Sequence, residues 1–300
     1  YRRMAAPVKN SRTVPFVESY FKVLKSVVGD IKTEYFWVYP SFMHCKEIDF
    51  SFIPEQFQQE QIHVWYTTHP KSGLNKEGHV LLIPTKKEVE SLPKFLREID
   101  NLDCKKLIVL QKEDVETKNA IKDFDNIEIL EQNNNGYGNA IIEGINHIDS
   151  KFFCIINADG SMDPKYLSEM LSECQNKDLV FGSRYQKPGG GSDDDDLITL
   201  VGNYFFTFLG NFLYNLNITD ILYTYILANT SSTKKLNLKS SDFRICVELP
   251  IKAKFSNLQY CCLPSYERPR IGGKKKVNPL KDGLLILCEI VKYFFNRKIN

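Results

Sequence analysis

Strands and helices alternate along the middle of the chain, and this pattern limits the fold more than any other feature of the sequence. Apolar runs typical of buried strands occupy residues 79–85, 105–111, 126–132, 151–159 and 178–185. Segments with helical periodicity lie between them, at residues 86–99, 118–124, 136–148 and 164–174. Such alternation is typical of βαβ units, so we predict an α/β fold with a mostly parallel sheet flanked by helices.

The first 78 residues have a different pattern. Residues 1–30 have helical spacing, and residues 33–40 and 61–68 have the composition of strands. We therefore expect an N-terminal α/β extension of unknown role at 1–78. The main domain is expected at 79–300, ending in an amphipathic helix.

Composition excludes some functional classes. A hydrophobic fraction of 43% and a formal net charge of +2 are those of an ordinary globular protein and give no case for nucleic-acid binding. The eight cysteines form no CxxC pair, which argues against a zinc site and indicates a reducing compartment. No charged and then apolar leader is visible, so we expect a cytoplasmic protein.

Two apolar segments raise the question of a membrane. Residues 204–216 and 283–295 are strongly apolar, but each falls short of the roughly 18 apolar residues of a spanning helix. The first carries a stripe with helical spacing, formed by Phe205, Phe208, Leu209, Phe212, Leu213 and Leu216. Packing in the core is the default for such a stripe, and contact with a membrane surface is the alternative.

Polar residues and glycines cluster where the predicted strands end. The motifs in chain order are "LLIPTKKE" (81–88), "NNNGYGNA" (133–140), "INADGSMDP" (156–164) and "FGSRY" (181–185). Ligands of parallel sheets bind at the carboxyl ends of the strands. We therefore expect these motifs to form one site, whereas the acidic stretch "GGGSDDDD" (189–196) is expected to be a flexible loop.

These motifs together resemble glycosyltransferase family 2 and its GT-A (Rossmann-like) fold, over about 79–280. The likeness is nearest to the dolichol-phosphate mannosyltransferases and polyprenyl-phosphate glycosyltransferases. Downstream, "ITDILYTY" (218–225) and "RIGGKK" (270–275) are similar to that family's "TDxxxGF" and "RxGxSK" segments. The resemblance implies a metal-dependent, inverting glycosyltransferase that moves a hexose from a UDP- or GDP-linked sugar.

The resemblance also implies an acceptor and a setting. The acceptor would be a polyprenyl phosphate on the inner face of a membrane, with peripheral membrane contact and a role in cell-envelope glycan synthesis. A soluble or surface-glycan acceptor is one alternative. A non-catalytic nucleotide-binding scaffold is another.

A divalent cation, Mg²⁺ or Mn²⁺, is implied at the third motif. Asp159 matches the second acid of the family's metal motif, and Asn157 stands where the family has the first acid. Both are expected to contact the nucleotide sugar, and Asn157 can accept from a hydroxyl or ligate the cation weakly through its side-chain carbonyl. Asp163 is expected to supply the missing charge, or else to cap the helix that begins with Pro164.

The nucleotide sugar is expected to contact the ends of several strands. Pro84, Thr85 and Glu88 match the first nucleotide-binding turn, where Thr85 and Glu88 also suit a capping box. Gly136 and Gly138 are expected to let backbone amides approach an anion or the base, or else to form a plain turn.

The second strand departs from the family pattern. It lacks the family's "VVDDGS" sequence, so the base-binding acid is absent or shifted to Glu113 or Asp114.

The remaining charged residues have roles implied by the resemblance. Arg184 is expected to meet donor phosphate or to order the neighbouring loop, and Asp220 is the candidate catalytic base. If the acceptor is already a phosphate, Asp220 would position acceptor or sugar instead. Arg270, Lys274 and Lys275 would bind the phosphate of donor or acceptor. For Glu248 we expect only a structural or sugar-hydroxyl role.

Overall fold

The computed structural model describes residues 78–195, 197–273 and 276–296. The proposed N-terminal extension, except its last residue, and the predicted phosphate-binding residues Lys274 and Lys275 lie outside these ranges.

Seven strands form the central sheet: β1 (His79–Thr85), β2 (Lys105–Gln111), β3 (Ile127–Gln132), β4 (Phe152–Ile155), β5 (Leu179–Ser183), β7 (Ile226–Asn229) and β8 (Tyr260–Pro264). Their order in the sheet is β3-β2-β1-β4-β7-β5-β8. All neighbouring strands are parallel except that β7 runs antiparallel to both β4 and β5. Two short strands, β6 (Gly191–Ser192) and β9 (Tyr266–Glu267), pair separately.

Helices connect the strands. They are α1 (Ser91–Glu98), α2 (Val115–Ala120), α3 (Tyr137–His147), α4 (Leu167–Cys174), α5 (Leu197–Tyr214), α6 (Thr230–Lys234), α7 (Ile245–Phe255) and α8 (Pro279–Asn296). The mostly parallel sheet flanked by helices confirms the predicted fold class.

The core has one layer on each face of the sheet. Side chains alternate along a strand, so Leu82 of β1 packs with Ile141 and Ile145 of α3, whereas Leu81 and Ile83 pack on the opposite face. Because both faces are covered, β1 is apolar and buried almost throughout.

Helix α5 differs from the sequence prediction. It is 18 residues long with a mean hydropathy of 1.3, and in the described part of the chain it alone is long and apolar enough to span a bilayer. The segment was therefore predicted too short. Core packing is also the wrong interpretation for Phe205, Phe208 and Phe212, which are exposed at the surface.

The acidic stretch is not a free loop in its described part. The carboxylate of Asp195 accepts hydrogen bonds from Arg184 and from the hydroxyl of Tyr185. Asp194 pairs with Arg270 at 3.0 Å, and Asp193 accepts from the hydroxyl of Tyr266. Ion pairs and hydrogen bonds therefore hold residues 193–195 against the carboxyl edge of the sheet.

Candidate active site

A cavity of about 280 Å³ opens at the carboxyl ends of the parallel strands, where the sequence motifs meet. Its lining includes the following predicted residues: Pro84, Thr85, Glu88, Gly136, Asn157, Asp159, Arg184 and Arg270. Strands β1 and β4 are neighbours in the sheet, so their ends bring the first and third motifs together.

Asp159 lies at the base of this cavity. Its Oδ1 accepts hydrogen bonds from the backbone amide and the hydroxyl of Ser161, at 3.1 and 2.9 Å. Its Oδ2 is 3.2 Å from the guanidinium of Arg270, which also pairs with Asp194. Arg270 therefore bridges two carboxylates across the mouth of the cavity.

Asp163, predicted as a second metal ligand, is not among the residues that line the cavity. Its Oδ1 accepts from the amide of Lys165 and its Oδ2 lies 2.9 Å from the Lys165 ammonium group. The Lys165 interactions outweigh burial and lower the pKa of Asp163. This geometry corresponds to the alternative interpretation, a cap of the short 3₁₀ turn Pro164–Tyr166.

A metal ion would have one carboxylate ligand from the motif. Within the described ranges, no group of three or more His, Cys, Asp or Glu side chains is placed to hold a cation. Magnesium in nucleotide sites is commonly held by one or two carboxylates together with substrate phosphates. Asp159 fits that role once Arg270 releases it.

Asp220, the candidate base, also does not line the cavity. It is 1% exposed, and both of its carboxylate oxygens accept from Arg184, at 2.7 and 3.0 Å. Burial raises the pKa of Asp220, against the effect of Arg184. In this arrangement the carboxylate of Asp220 holds the Arg184 guanidinium in place and is not exposed to the cavity.

Arg184 is the centre of a buried cluster. Besides Asp220, its guanidinium contacts Asp195 and Glu267, each at 3.1 Å, and lies 4.5 Å from the centre of the Tyr223 ring. Of the two roles expected for Arg184, this geometry supports ordering of the neighbouring loop. One cation faces three carboxylates, and burial raises the pKa of Glu267 despite the ion pair.

The first nucleotide-binding turn has different hydrogen bonds from those predicted. The hydroxyl of Thr85 donates to the carbonyl of Ile83, and Glu88 accepts from the hydroxyl of Ser91. Because α1 begins only at Ser91, Thr85 and Glu88 do not form a capping box. Glu88 instead pairs with Lys276 across the cavity.

The end of β2 has no acid in the cavity. Asp114 caps α2 through the amide of Thr117 and accepts from the amide of Lys87 at 2.6 Å. Gln111, the last residue of β2, lines the cavity instead. Glu113 is exposed at the surface.

The two glycines before α3 allow contact with another backbone segment. A Cβ at Gly136 would lie 2.1 Å from the carbonyl oxygen of Ser241, and one at Gly138 would lie 2.0 Å from that of Ser240. The amide of Asn139 donates to the carbonyl of Ser241. The expected close approach therefore exists, but the partner is the chain at 240–242.

Glu248 takes the structural one of its two expected roles. It is fully buried, accepts from the amides of Lys239 and Ser240 at 2.9 and 2.6 Å, and pairs with Lys252. It holds the segment that packs against the α3 glycines.

Several cavity residues were missed by the sequence analysis: Gln111, Gln132, Tyr137, Tyr223, Thr224, Phe243, Glu267 and Lys276. Gln111 and Gln132 end parallel strands, so the strand-end rule could have identified them. Phe243 and Glu267 follow no strand end of the predicted sheet, and only the folded chain brings them to the cavity.

The mostly parallel α/β sheet flanked by helices, with a cavity at the carboxyl ends of its strands, has the arrangement of the GT-A fold. The family model of glycosyl transferase family 2 matches residues 80–236, more than half of the chain. The chain therefore belongs to glycosyl transferase family 2 and is a glycosyltransferase that uses a nucleotide sugar.

Solved structures with this fold include two synthases. Glucosyl-3-phosphoglycerate synthase from Mycobacterium tuberculosis, solved with Mn²⁺, UDP and phosphoglyceric acid, has a TM-score of 0.56 at 12% identity. That match covers 74% of this chain and 80% of the synthase. Mannosyl-3-phosphoglycerate synthase from Rubrobacter xylanophilus has a TM-score of 0.50 at 14% identity, covering 74% and 75%. At such identities the likeness concerns the fold.

Proposed function

We propose that this glycosyltransferase moves a hexose, with inversion and with a divalent cation, from a UDP- or GDP-linked sugar to a phosphate-bearing acceptor. The acceptor is a polyprenyl phosphate at the cytoplasmic face of a membrane. The observation that carries the proposal is the pairing of every described carboxylate that lines the cavity.

These carboxylates are Glu88, Asp159 and Glu267. They pair with Lys276, Arg270 and Arg184 respectively. A hydroxyl acceptor needs a base within hydrogen-bond reach of its proton, whereas a phosphate is already ionised at neutral pH. The cavity therefore suits an acceptor that needs no deprotonation.

The divalent cation would be held by Asp159 together with the donor diphosphate. The M. tuberculosis synthase of the same fold was solved with both Mn²⁺ and UDP. When bound, the cation neutralises the departing nucleotide diphosphate. Arg270, which pairs with both Asp159 and Asp194, would keep its pairing with Asp194 and could bind an anionic oxygen of the phosphates.

The exposed apolar face of α5 supports a lipid acceptor. Its exposed side chains are Leu197, Ile198, Val201, Tyr204, Phe205, Phe208 and Phe212. Only 28% of the helix is buried, so it is not a core helix. The ring centroid of Tyr204 lies 4.9 Å from that of Tyr185. Tyr185 directly follows Arg184, a lining residue, so this face of α5 ends one residue from the cavity.

A soluble phosphorylated acceptor is the second candidate. The M. tuberculosis synthase was solved with phosphoglyceric acid, a small anion. Such an acceptor would use the same cations at the cavity mouth and would not need the apolar face.

The test is a transfer assay with the full chain and a panel of UDP- and GDP-sugars, with Mg²⁺, Mn²⁺ or EDTA. The acceptors are a short polyprenyl phosphate, the matching polyprenol and 3-phosphoglycerate. We expect a product only with the polyprenyl phosphate and only with metal. Transfer to polyprenol or to 3-phosphoglycerate alone would refute the proposed acceptor.

Two variants locate the cation in this assay. Asp159→Asn should abolish metal-dependent transfer, because it removes the only carboxylate of the motif that lines the cavity. Asp163→Asn is the matched control, since it changes an acid of the same motif outside the cavity, and it should retain activity. Equal losses in both variants would contradict the assignment.

A further inference from the structure

Asn157 occupies the place of the family's first metal-binding acid, and its environment determines which of its atoms faces a ligand. The residue follows β4, is half-buried and lines the cavity. Its side-chain carbonyl Oδ1 accepts a hydrogen bond from the hydroxyl of Tyr137 at 3.0 Å.

The hydroxyl of Tyr137 also lies 2.7 Å from the hydroxyl of Thr224. A phenol has one proton, and here Asn157 accepts it, so Thr224 donates to Tyr137. The result is a chain of hydrogen bonds from Thr224 through Tyr137 to Asn157, in which each bond strengthens the next. Burial raises the pKa of Tyr137 far above its ordinary value, so the phenol keeps its proton at physiological pH.

The position of Tyr137 is set by packing. Its ring stacks on Phe243, with centroids 4.9 Å apart and an interplanar angle of 25°. Gly136 and Gly138 flank it and allow close contact with the backbone at 240–242, immediately before Phe243. The aromatic ring therefore has little freedom to turn away from Asn157.

The side-chain carbonyl oxygen of Asn157 thus accepts a hydrogen bond from Tyr137, and the NH₂ group of the same amide can donate to a ligand. Its Nδ2 has no hydrogen-bond partner among the described residues, and the side chain lines the cavity two residues before Asp159. We infer that Tyr137 is a positioning residue that directs the NH₂ group of Asn157 at an oxygen of the donor diphosphate. This inference rests on the proposed function.

The inference has a chemical consequence for the donor site. A carboxylate at position 157 would repel the diphosphate and add a ligand for a cation. An amide with its carbonyl held by Tyr137 instead donates a hydrogen bond to an anionic oxygen. Part of the affinity for the nucleoside diphosphate should therefore be independent of metal.

The experiment is a calorimetric titration of the full chain with UDP and GDP in EDTA, with uridine and guanosine as ligands that lack phosphate. We expect Tyr137→Phe and Asn157→Ala each to weaken binding of the preferred diphosphate roughly 3- to 10-fold, the contribution of a single hydrogen bond. Binding of the nucleoside should stay unchanged. Phenylalanine keeps the stacking on Phe243, so the loss reports the hydroxyl alone.

A double-mutant cycle distinguishes a Tyr137 that acts by positioning Asn157 from a Tyr137 that contributes to binding independently of Asn157. If Tyr137 acts through Asn157, the double variant should bind no more weakly than Asn157→Ala. Tyr260→Phe is the matched control, because it removes a hydroxyl bonded to the carbonyl of Leu216 outside the cavity. Its affinity for UDP and GDP should equal that of the wild type.

A charge variant gives a second readout. Asn157→Asp should weaken diphosphate binding in EDTA and lower the Mn²⁺ concentration needed for half-maximal binding. Additive losses in the cycle, or equal losses for the nucleoside, would overturn the inference and leave the proposed function standing. Failure of the wild type to bind either UDP or GDP, with or without Mn²⁺, would overturn both.

Discussion

Glu248 shows how a single buried charge holds part of the site in place. Its carboxylate accepts from two backbone amides, pairs with Lys252 and accepts from the hydroxyl of Tyr293 at 3.0 Å. Burial alone would raise the pKa of Glu248, but these partners outweigh it and lower the pKa.

We therefore expect Glu248→Ala to reduce the free energy of unfolding by about 3 kcal/mol, because it removes the acceptor of the buried Ser240 amide and of the part-buried Lys239 amide and the carboxylate that pairs with Lys252. Urea denaturation measures this loss. Glu169→Ala, at an exposed position, should change the free energy by less than about 0.5 kcal/mol. A similarly small change for Glu248→Ala would contradict the structural role of this carboxylate.

Glu267 and Glu248 should change the stability of the protein in opposite directions as the pH rises, because their pKa values are shifted in opposite directions. The pKa of Glu267 is raised in the folded protein, whereas the unfolded chain loses this proton near the ordinary value of about 4.3. Between these two values the folded state binds more protons, so the stability contributed by Glu267 falls as the pH rises.

The measurement is the free energy of unfolding of the wild type minus that of Glu267→Gln, from about pH 3 to pH 7. This difference should decrease as the pH rises above about 4.3. The same difference for Glu248→Gln should increase with pH up to about 4.3 and then level off, because the pKa of Glu248 is lowered and its contribution is lost in acid. Parallel slopes for the two variants would contradict the assigned shifts.

At the scale of elements, the start of α3 depends on glycine for close packing. A methyl group at Gly138 would lie 2.0 Å from the carbonyl oxygen of Ser240 and 2.8 Å from that of Asp242. Both atoms belong to the backbone and cannot rotate away. The helix and the chain at 240–242 would have to separate.

Gly138→Ala should therefore lower the free energy of unfolding by about 2 kcal/mol or more and weaken nucleotide binding, because Tyr137 moves with the helix. Gly202→Ala in α5 is the matched control, since a methyl group at that position would meet no atom within 4 Å. It should stabilise by about 0.5–1 kcal/mol, the helix preference for alanine. Thermal melts and UDP titrations check both variants.

At the scale of the whole described domain, the exposed apolar face of α5 is its most unusual surface. Helix α8 packs against α5 and adds Leu280 and Leu284, which are 86% and 63% exposed. Extended apolar surface of this kind commonly marks contact with a partner or a membrane. Together with the proposed lipid acceptor, it favours membrane contact.

We predict that Phe208→Glu combined with Phe212→Glu reduces flotation of the full chain with liposomes containing anionic lipid by at least about tenfold. The substitutions remove two exposed aromatic rings that would insert into the membrane–water interface. They also add two negative charges, which anionic lipids repel. Val115→Glu, at an exposed apolar position on α2, should float like the wild type. Equal flotation of the wild type and both variants would contradict membrane contact through this face of α5.

The sequence alone determined the parallel part of the fold and the floor of the site. Buried parallel strands are continuous apolar runs, so β1 and β2 were predicted with the bounds they have, and their ends lie at one edge by geometry. The positions of Pro84, Asn157 and Asp159 at the cavity follow directly from that rule.

The tertiary structure decided the partners of the charged residues. Asp220 and Arg184 are 36 residues apart in the sequence, and only folding brings them together. In the folded protein Asp220, which the sequence predicted to be the catalytic base, is the ion-pair partner of Arg184. Folding also brings together Arg270 and Asp159, Glu88 and Lys276, and Tyr137 and Asn157. The periodicity of apolar residues indicates which side of a segment is buried. The role of a carboxylate at this site depends instead on the arginine or lysine beside it. That partner comes from a distant part of the sequence, so only the tertiary structure identifies it.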